Sequence, residues 1–509
     1  MRGRGGTGRR RRLKIFCPQG RAGSSPAVRT IALSLLLATT ACERRPDVGA
    51  VIVSAAGTAP RLSPVIPAPD DLAGLLLADA AAQGLVRFDA AGQIEPGIAE
   101  RWIVTDEGRT YIFRLREMTW TNGRPVRAAE IVTILRSRLQ QRARNPLADY
   151  LTAVDSVVEM TPQVIQVELS RPRPDLLKLF AQPEMTLVDP ARAIGSGPMR
   201  IVRQAGNVTR LTPRPDPNRA ADEQHEPVPE DDVLLVAERP AAGIARFAER
   251  KSDLFAGGRL SEWPLVAAAG VAQVNIRVDP AAGVFGLAVS RREGFLALPE
   301  NRAAIAMAID RTALTRSFSQ DWRPAEDLLP AALDSAAPPA HGAWQAVRPA
   351  DRVATAQARV SAWREAGNPV PTLRLALPGG SGGTLLWARL AADLFAIGVR
   401  PVRVSATDDA DLRLVDLVAP YDSARWYVDQ ACQPCDERAA VAIEAARVAP
   451  TLAIRARELA AADEALAADV AFIPLARPFR WALVAQRLRA WQPNDRAWHP
   501  LNLLRRAPN

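Results

Sequence analysis

Hydrophobic and polar residues follow two different periods between residues 84 and 138. Residues 84–106 hold two short apolar runs separated by turn residues, and residues 110–116 alternate, which predicts a strand with one solvated face. Asn122 and Gly123 then predict a hairpin turn. Apolar residues recur at helical spacing over residues 128–138. The pattern predicts a compact β-rich unit closed by a helix, and it carries no catalytic chemistry.

The rest of the chain alternates predicted strands and helices, which indicates an α/β protein with mixed sheets. The strand–helix–strand spacing over residues 372–404 predicts a parallel strand pair with a right-handed crossover. Residues 195–198 are glycine-rich but lack the lysine and helix of a phosphate-binding loop, which favours a tight backbone crossing. Residues 203–232 are polar and proline-rich and predict a surface connection. Further strands are predicted at residues 50–55, 232–238, 283–290 and 412–418, and further helices at residues 71–82, 299–314, 353–367 and on both sides of Pro450.

The net charge of +10 would indicate nucleic-acid binding if it were spread over the folded chain. However, residues 1–30 carry nine basic and no acidic residues, residues 31–41 carry no charge, and the chain from Cys42 onward is left with a net charge of +1. No compact basic surface is expected, which excludes nucleic acid as a partner. The length of 509 residues predicts two or three domains, and a composition of 48% hydrophobic and 24% charged residues is ordinary for a soluble protein.

Residues 1–41 have the form of an export leader. A short apolar core at residues 31–38 follows the basic segment and is too short to span a membrane. The small residues before Cys42 resemble a bacterial lipobox, which would make Cys42 the lipidated N-terminal residue of the mature protein. A plain signal peptide with an incidental cysteine is the alternative. Both interpretations predict a periplasmic or otherwise extracytoplasmic protein, and the first adds a lipid anchor in the membrane.

Cys432 and Cys435 are separated by two residues. A metal site would need two more ligands, and His225, His341 and His499 are not spaced as a zinc pair. A redox motif usually opens a helix in a thioredoxin-like βαβ unit, which is not evident here. In an oxidising compartment the two cysteines are therefore predicted to form a small disulfide loop.

The sequence offers no constellation for catalysis. It contains no Ser/His/Asp or Cys/His arrangement, no nucleophile elbow and no metalloprotease motif. Asp408, Asp409, Asp411 and Asp416 cluster in sequence, and a solvated loop at a strand end is favoured over calcium binding or acid catalysis. The chain is therefore predicted not to be an enzyme, to use no cofactor and to hold no metal.

Two blocks of the chain resemble the extracytoplasmic solute-binding proteins of peptide/nickel ABC importers, family 5. The first block is the β-rich unit, which matches the family pattern in order at residues 84–89, Pro96, residues 99–102, Gly108, Thr110, Tyr111, Phe113, Leu115, Arg116, Trp120, Asn122, Gly123, Pro125 and Val126. The second block matches at Pro299, Arg302, Ala303, residues 308–311 and Leu314. In the second block Asp310 and Arg311 sit at the end of a helix and are given a structural role.

This resemblance implies a two-lobed periplasmic binding protein of the type II class, with mixed α/β sheets flanked by helices and an extra subdomain. After the leader, lobe I is expected to take residues 42–72, 185–272 and 478–509. The extra subdomain is expected at residues 73–184 and lobe II at residues 273–477. Such proteins bind their ligand in a cleft between lobes that close around it.

The resemblance also implies where the ligand is bound. Family members often carry an aspartate that pairs with the α-amino group of a peptide ligand, at the place where this chain has Pro420. Asp422 could substitute for it, so the predicted ligand-binding residues are Tyr421, Asp422, Arg425 and Trp426. The charged pair would form charge-assisted hydrogen bonds with the ligand and the aromatic pair would cover it. The alternative is that Trp426 and Tyr427 are core residues and Arg425 is merely solvated.

The implied function is that of a monomeric solute receptor that captures a peptide or peptide-like molecule and delivers it to an ABC permease and its ATPase. A non-peptide solute, such as a metal chelate or an opine, is an alternative within the same class. An accessory interaction protein that has lost ligand binding on the same scaffold is the alternative outside it.

Overall fold

The computed structural model describes residues 48–140, 144–215, 227–331 and 333–505. The predicted leader and Cys42 lie outside the described residues, as does His225. Within the described ranges, no helix combines the length and the apolar character needed to cross a membrane.

The strands of the described residues confirm most of the predicted ones. In chain order they are β1 (Val51–Ala56), β2 (Val86–Phe88), β3 (Ile94–Pro96), β4 (Ala99–Thr105), β5 (Thr110–Leu115), β6 (Val154–Thr161), β7 (Val164–Leu169), β8 (Met199–Ala205), β9 (Val208–Pro213), β10 (Val233–Glu238), β11 (Leu254–Gly258), β12 (Ile276–Asp279), β13 (Gly283–Val289), β14 (Thr372–Leu377), β15 (Arg400–Ser405), β16 (Leu412–Val418), β17 (Phe472–Ala476) and β18 (Arg480–Val484).

The α-helices lie between these strands. They are α1 (Leu72–Ala81), α2 (Ala128–Leu139), α3 (Leu176–Phe180), α4 (Pro240–Ala248), α5 (Trp263–Ala268), α6 (Pro299–Ala308), α7 (Arg311–Arg316), α8 (Arg352–Glu365), α9 (Gly380–Ala396), α10 (Ala424–Ala431), α11 (Glu437–Val448) and α12 (Leu452–Asp469).

Lobe I is built on a seven-stranded mixed sheet in the order β12-β18-β11-β1-β10-β9-β8. The early strand β1 pairs in parallel with β10 and β11, whereas the late strand β18 lies antiparallel between β11 and β12. Its core is formed by buried aliphatic side chains of β1, β10 and α1, such as Val53, Leu235 and Leu77. Helix α1 therefore packs on lobe I, although residues 73–184 are predicted as the extra subdomain.

Lobe II is built on a five-stranded sheet in the order β15-β14-β16-β13-β17. Strands β14 and β15 pair in parallel from Thr372 and Arg400 to Leu377 and Ser405, and α9 lies between them in sequence. This confirms the predicted strand–helix–strand unit. Strand β12 lies in a segment predicted for lobe II, but it pairs with β18 and so belongs to the sheet of lobe I.

The subdomain is a four-stranded antiparallel sheet, β4-β5-β7-β6, with α2 packed on β6 and β7. Its period-two pattern is confirmed, because Tyr111, Phe113 and Leu115 are buried on one face of β5. The predicted turn forms where Trp120 N–H donates to Arg124 O at 2.8 Å. Gly123 in this turn has a φ of +83°, which glycine adopts without strain.

Three predicted features differ from the structure. Residues 203–232 were expected to be a surface connection, yet the end of β8 and all of β9 form a hairpin there. Thr209 and Leu211 are buried on one face of β9 and alternate with polar residues on the other, which makes this segment a strand. The single helix expected over residues 299–314 is two helices, since Asp310 caps α7 by accepting a hydrogen bond from Ala313 N at 2.8 Å. The short strands β3 and β12 were not predicted.

The predicted tight crossing at residues 195–198 is confirmed. A Cβ placed on Gly195 would lie 2.1 Å from the carbonyl oxygen of Ala81, and one on Gly197 would lie 2.5 Å from that of Ala80. Glycine is required here because the backbone passes directly over the end of α1.

Two short connections join the lobes. Residues 280–282 link β12 to β13, and residues 477–479 link β17 to β18. The two connections touch, because Arg477 Nη1 donates to Gly283 O at 3.4 Å and a Cβ on Gly283 would lie 2.9 Å from Pro478 Cγ. A paired crossing of this kind can act as a hinge, since a few residues absorb the rotation of one lobe against the other.

Candidate ligand-binding site

The predicted site residues lie where β16 ends and α10 begins. Ser423 caps the helix, and the carboxylate of Asp334 accepts hydrogen bonds from Ser423 Oγ at 2.8 Å and from Ala424 N at 2.7 Å. An anion at a helix N-terminus is favourable, because it satisfies free N–H groups and faces the positive end of the helix dipole. Segment 419–426 is therefore held in one conformation.

Tyr421 and Trp426 are buried against protein side chains. They are 3% and 4% exposed, and both belong to a hydrophobic cluster that continues from the subdomain into lobe II. The ring of Tyr421 meets that of Tyr150 edge to face at 5.5 Å, and Trp426 meets Tyr427 at 5.0 Å. These contacts correspond to the alternative in which Trp426 and Tyr427 are part of the core, and they place Tyr421 in the core as well.

The carboxylate of Asp422 joins three parts of the fold. One oxygen accepts from Lys178 of α3 in the subdomain, and the other accepts from Arg496 of the C-terminal segment. Burial alone would raise the pKa of Asp422, but these two hydrogen bonds outweigh it and hold the pKa below its usual value. The same segment is held through its backbone, since Gln182 donates to Pro420 O at 2.6 Å.

Arg425 is buried beside the subdomain at 3% exposure, so the alternative that it is merely solvated is wrong. Its Nη2 donates to Asp149 O at 3.1 Å, and its guanidinium lies 5.2 Å from the centre of the Tyr150 ring. Its Nε is 3.5 Å from Asp429 Oδ2, an ion-pair distance that does not form a hydrogen bond. The structure thus brings together all four predicted residues, but with protein partners already around each of them.

Two further arginines at this junction carry no signal in the sequence. Arg455 of α12 donates to Asp334 Oδ2 at 3.2 Å and to Ser423 Oγ at 2.6 Å. Arg173, between β7 and α3, donates to the carbonyl oxygens of Pro172 and Arg447 at 2.8 and 2.7 Å. We call the junction of Arg173, Arg425 and Arg455 the arginine seam. Its members are far apart in sequence, so no local pattern could have predicted it.

Asp175 faces the same region. Among the described residues, its carboxyl group makes no hydrogen bond. Burial, together with the negative charge of Asp334, raises the pKa of Asp175 to about 7. Arg455 and Lys178 oppose the shift but do not cancel it. This carboxyl group is therefore partly protonated at neutral pH.

An open pocket of about 230 Å³ lies next to the seam. Its walls include Tyr111, Pro174 and Leu177 of the subdomain and Leu452 of α12. Pro172 and Pro174 on either side of Arg173 also line it, whereas none of the three arginines of the seam does.

The cysteines and the clustered aspartates that the sequence analysis singled out lie outside this junction or at its edge. Cys432 and Cys435 are joined in a disulfide directly after α10, with Cα atoms 4.7 Å apart. The clustered aspartates have protein partners: Asp409 pairs with Arg291 and Asp416 with Arg480, Asp411 accepts from Arg374 N, and Asp408 accepts from Ser405 N. Among the described residues, no group of histidine, cysteine and carboxylate side chains is arranged to hold a metal ion.

Comparison with known families gives a match over more than half of the chain. The family model described as "Bacterial extracellular solute-binding proteins, family 5 Middle" matches residues 93–400. Among curated proteins, a probable deoxycholate-binding periplasmic protein of Escherichia coli is 39% identical over 70 residues, which is 14% of this chain and 13% of that protein. A putative binding protein of Haemophilus influenzae is 29% identical over 155 residues, which is 26% of this chain and 29% of that protein.

Solved structures match over almost the whole length of both chains. OppA of Haemophilus influenzae in complex with a peptide has a TM-score of 0.70 and 17% identity, covering 89% of this chain and 98% of that chain. The murein tripeptide binding protein of Escherichia coli has a TM-score of 0.71 and 16% identity, with the same coverage of 89% and 98%. At these identities the likeness establishes the two-lobed fold.

Proposed function

This chain belongs to the bacterial extracellular solute-binding proteins of family 5, and on that premise we propose that it is the solute receptor of an ABC importer. It would capture a peptide or peptide-like molecule between its lobes and present the closed form to a membrane permease, while a partner ATPase supplies the energy. The protein itself performs binding without chemical conversion.

The proposal is supported mainly by the charged contacts at the junction between lobe II and the rest of the molecule. Asp422 of lobe II reaches Lys178 of the subdomain and Arg496 of the C-terminal segment, while the lobes are covalently joined by the paired connections at residues 280–282 and 477–479. Charged groups that meet across a hinge let a bound solute change the free energy of closure, because it contacts both sides only when the lobes are closed.

The extracytoplasmic location and lipid anchor are part of the same proposal. A family of extracellular proteins and the form of residues 1–41 support export, and Cys42 after small residues supports lipidation. We expect a monomer, since both lobes and the hinge between them are supplied by one chain.

A non-peptide solute is the second candidate, and a specific contact favours keeping it. Pro420 replaces the usual aspartate and Asp422 is already neutralised by two cations, so a peptide ammonium group would have to displace Lys178 from Asp422. The curated relative named for deoxycholate, a carboxylate with a large apolar body, gives an example of such a solute.

The experiment is to identify what the protein captures. The protein is purified from its native compartment, unfolded, and the released small molecules are analysed by mass spectrometry. Calorimetry with candidate tripeptides and small-angle X-ray scattering then measure affinity and closure. We expect one solute per chain and a smaller radius of gyration when it binds. A protein that releases no solute, binds no member of the panel and does not change its scattering would contradict a receptor function.

A further inference from the structure

The two lobes also meet outside the hinge connections, where the first turn of α9 in lobe II lies on the segment that follows β11 in lobe I. A Cβ placed on Gly382 would lie 1.8 Å from Leu260 O and 3.0 Å from Ser261 Cα. A Cβ on Gly380 would lie 2.8 Å from Ser261 O. Nonbonded heavy atoms pack at about 3.5 Å, so neither glycine leaves room for a side chain. The backbones of the two lobes are therefore in direct contact.

The strand order places this contact on the crevice side of the hinge. Leu260 follows the carboxyl end of β11, which is parallel to β1, and Gly380 follows the carboxyl end of β14, which is parallel to β16. In α/β sheets, ligands bind in the crevice outside the carboxyl ends of the strands. In the described sheet, β16 separates β14 from the hinge strand β13, so the contact is about 10 Å from that strand. A change in thickness at this contact therefore changes the angle between the lobes.

The lobe I side of the contact is held in place from both directions. On one side, Trp481 Nε1 of β18 donates to Arg259 O at 3.0 Å. On the other side, Trp263 Nε1 donates to Phe318 O of lobe II at 2.6 Å. Residues 260–261 lie between these two hydrogen bonds, so their backbone is held against α9 and does not make room for a side chain there.

Local structure does not require glycine at position 382. This residue lies within α9, where alanine is a better helix former than glycine. Gly380 differs, because its φ of +79° favours glycine for its own conformation. Gly379 is open, since a Cβ there would meet no atom of the described residues within 4 Å apart from its chain neighbours. The contact with lobe I is thus the reason for glycine at position 382, and Gly379 in the same loop provides a control.

We propose that the contact of Gly380 and Gly382 with residues 260–261 is a closing stop, which sets how far the crevice closes on its solute. The glycines are positioning residues that act through the angle between the lobes. A methyl group at position 382 would move the lobes apart by about 1.5 Å at the contact, which is an opening of roughly 9° about a hinge strand that lies about 10 Å away. A solute held from both lobes would then lose contacts on one side. The inference rests on the proposed receptor function and adds the residues that control its closure.

The test measures the angle between the lobes in the ligand-free full chain. Small-angle X-ray scattering compares the wild type with Gly382→Ala and Gly382→Leu, and we expect the radius of gyration to rise in that order. Gly379→Ala and Gly379→Leu are the matched controls and should keep the wild-type value. In calorimetry with tri-alanine as the probe, Gly382→Ala should bind at least tenfold more weakly than the wild type, and Gly379→Ala should bind equally well. A purely local effect on α9 would change thermal unfolding without changing the radius of gyration.

The outcomes separate this inference from the proposed function. If the Gly382 variants scatter like the Gly379 variants, the closing stop is wrong. If they scatter more widely but bind tri-alanine as tightly as the wild type, the contact does not control the grip on the solute, and the inference is wrong while the receptor function stands. If they scatter more widely and the wild type binds no tri-alanine, the closing stop stands and the peptide function falls.

A cross-link tests the same contact if the Gly382 variants do not fold. A Cβ on Gly380 would lie 3.5 Å from Ser261 Cβ, which is within the range of a disulfide. Ser261→Cys combined with Gly380→Cys should therefore form a disulfide between the lobes, detected by mass spectrometry of the digested protein. Ser261→Cys combined with Gly379→Cys should not. Equal cross-linking of the two pairs, or none in either, would reject the contact.

Discussion

Replacing Asp422 by asparagine should release lobe II from the other two parts of the fold. The substitution keeps the shape of the side chain but removes the charge that Lys178 and Arg496 share. Lys178 and Asp422 are 29% and 38% exposed, so this pair contributes only about 0.2–1 kcal/mol. Arg496 is 3% exposed, and the substitution leaves it only the longer pair with the more exposed Asp495, whose Oδ2 lies 3.4 Å from its Nη2. Losing the stronger of its two carboxylate contacts costs about 1–3 kcal/mol. Together the closed arrangement should lose about 2 kcal/mol, which is about a 30-fold change in the closed-to-open ratio.

Two assays measure this effect on the ligand-free protein. Urea denaturation should show a loss of stability of about 2 kcal/mol, and small-angle scattering should show a larger radius of gyration as the lobes separate. Because the pKa of Asp422 is held below its usual value, its contribution is present above about pH 4 and is lost as the pH falls through the folded-state pKa. The wild-type protein should therefore approach the asparagine variant at low pH.

Controls isolate the contact from a general loss of charge. Asp409→Asn removes an ion pair with Arg291 in which the aspartate is 78% exposed, and it should change stability by less than about 0.5 kcal/mol. A double-mutant cycle with Arg496→Met should give a coupling energy of about 1 kcal/mol or more with Asp422→Asn. If Asp422→Asn unfolds at the wild-type urea concentration and scatters like the wild type, Asp422 does not hold the lobes together.

Two further substitutions test the packing and the buried charges. Gly197→Ala should destabilise the protein by about 1–3 kcal/mol in urea denaturation, because its Cβ would lie 2.5 Å from a carbonyl oxygen. Gly379→Ala is the control, since Gly379 has open space around it, and it should cost about 0.5 kcal/mol. Equal effects of the two substitutions would contradict the tight crossing. Burial raises the pKa of Asp79 to about 6, so the folded state gains from its protonation and loses that gain as the pH rises through 6. The gain is complete only below the unfolded-state pKa of 3.8 and is lost between that pH and about pH 6. Asp79→Asn should therefore be more stable than the wild type at pH 8 by about 1–3 kcal/mol and similar to it at pH 3, and a constant difference between the two pH values would refute the assigned cause.

The elements that could be predicted are those whose burial follows a local period. Strand β5 alternates Tyr111, Phe113 and Leu115 toward the core, and the sequence shows that alternation directly. The glycine crossing at residues 195–198 could be predicted by exclusion. A phosphate-binding loop needs a lysine and a following helix, and both are absent from that segment, which left a tight backbone crossing as the interpretation. Strand β12 was missed because it has only four residues: Ile276 and Val278 alternate with Arg277 and Asp279, and such a short run does not distinguish a strand from a loop.

The site was less predictable because its partners are distant along the chain. Asp422 was predicted as a ligand-binding residue, and that role stays a prediction. The contacts that its carboxylate makes could not be predicted, because its partners Lys178 and Arg496 lie 244 and 74 residues away. Arg173 stands between two prolines with no periodic neighbours, so its position depends on how the subdomain docks on α11, where Arg447 O accepts from it. Contacts between separately folded segments leave no trace in local composition.

The position of β18 has a consequence for how the chain is made. This strand is synthesised almost last, yet it is the only recorded bridge between β11 and β12 within the described sheet, and β1 at its centre is among the first segments to be translated. A nascent chain therefore carries two unpaired strand edges until about residue 484 has left the ribosome, and pairing across such sequence separations is slow. Lobe I should therefore complete its sheet only when translation is nearly finished, whereas all strands of lobe II are made before β18.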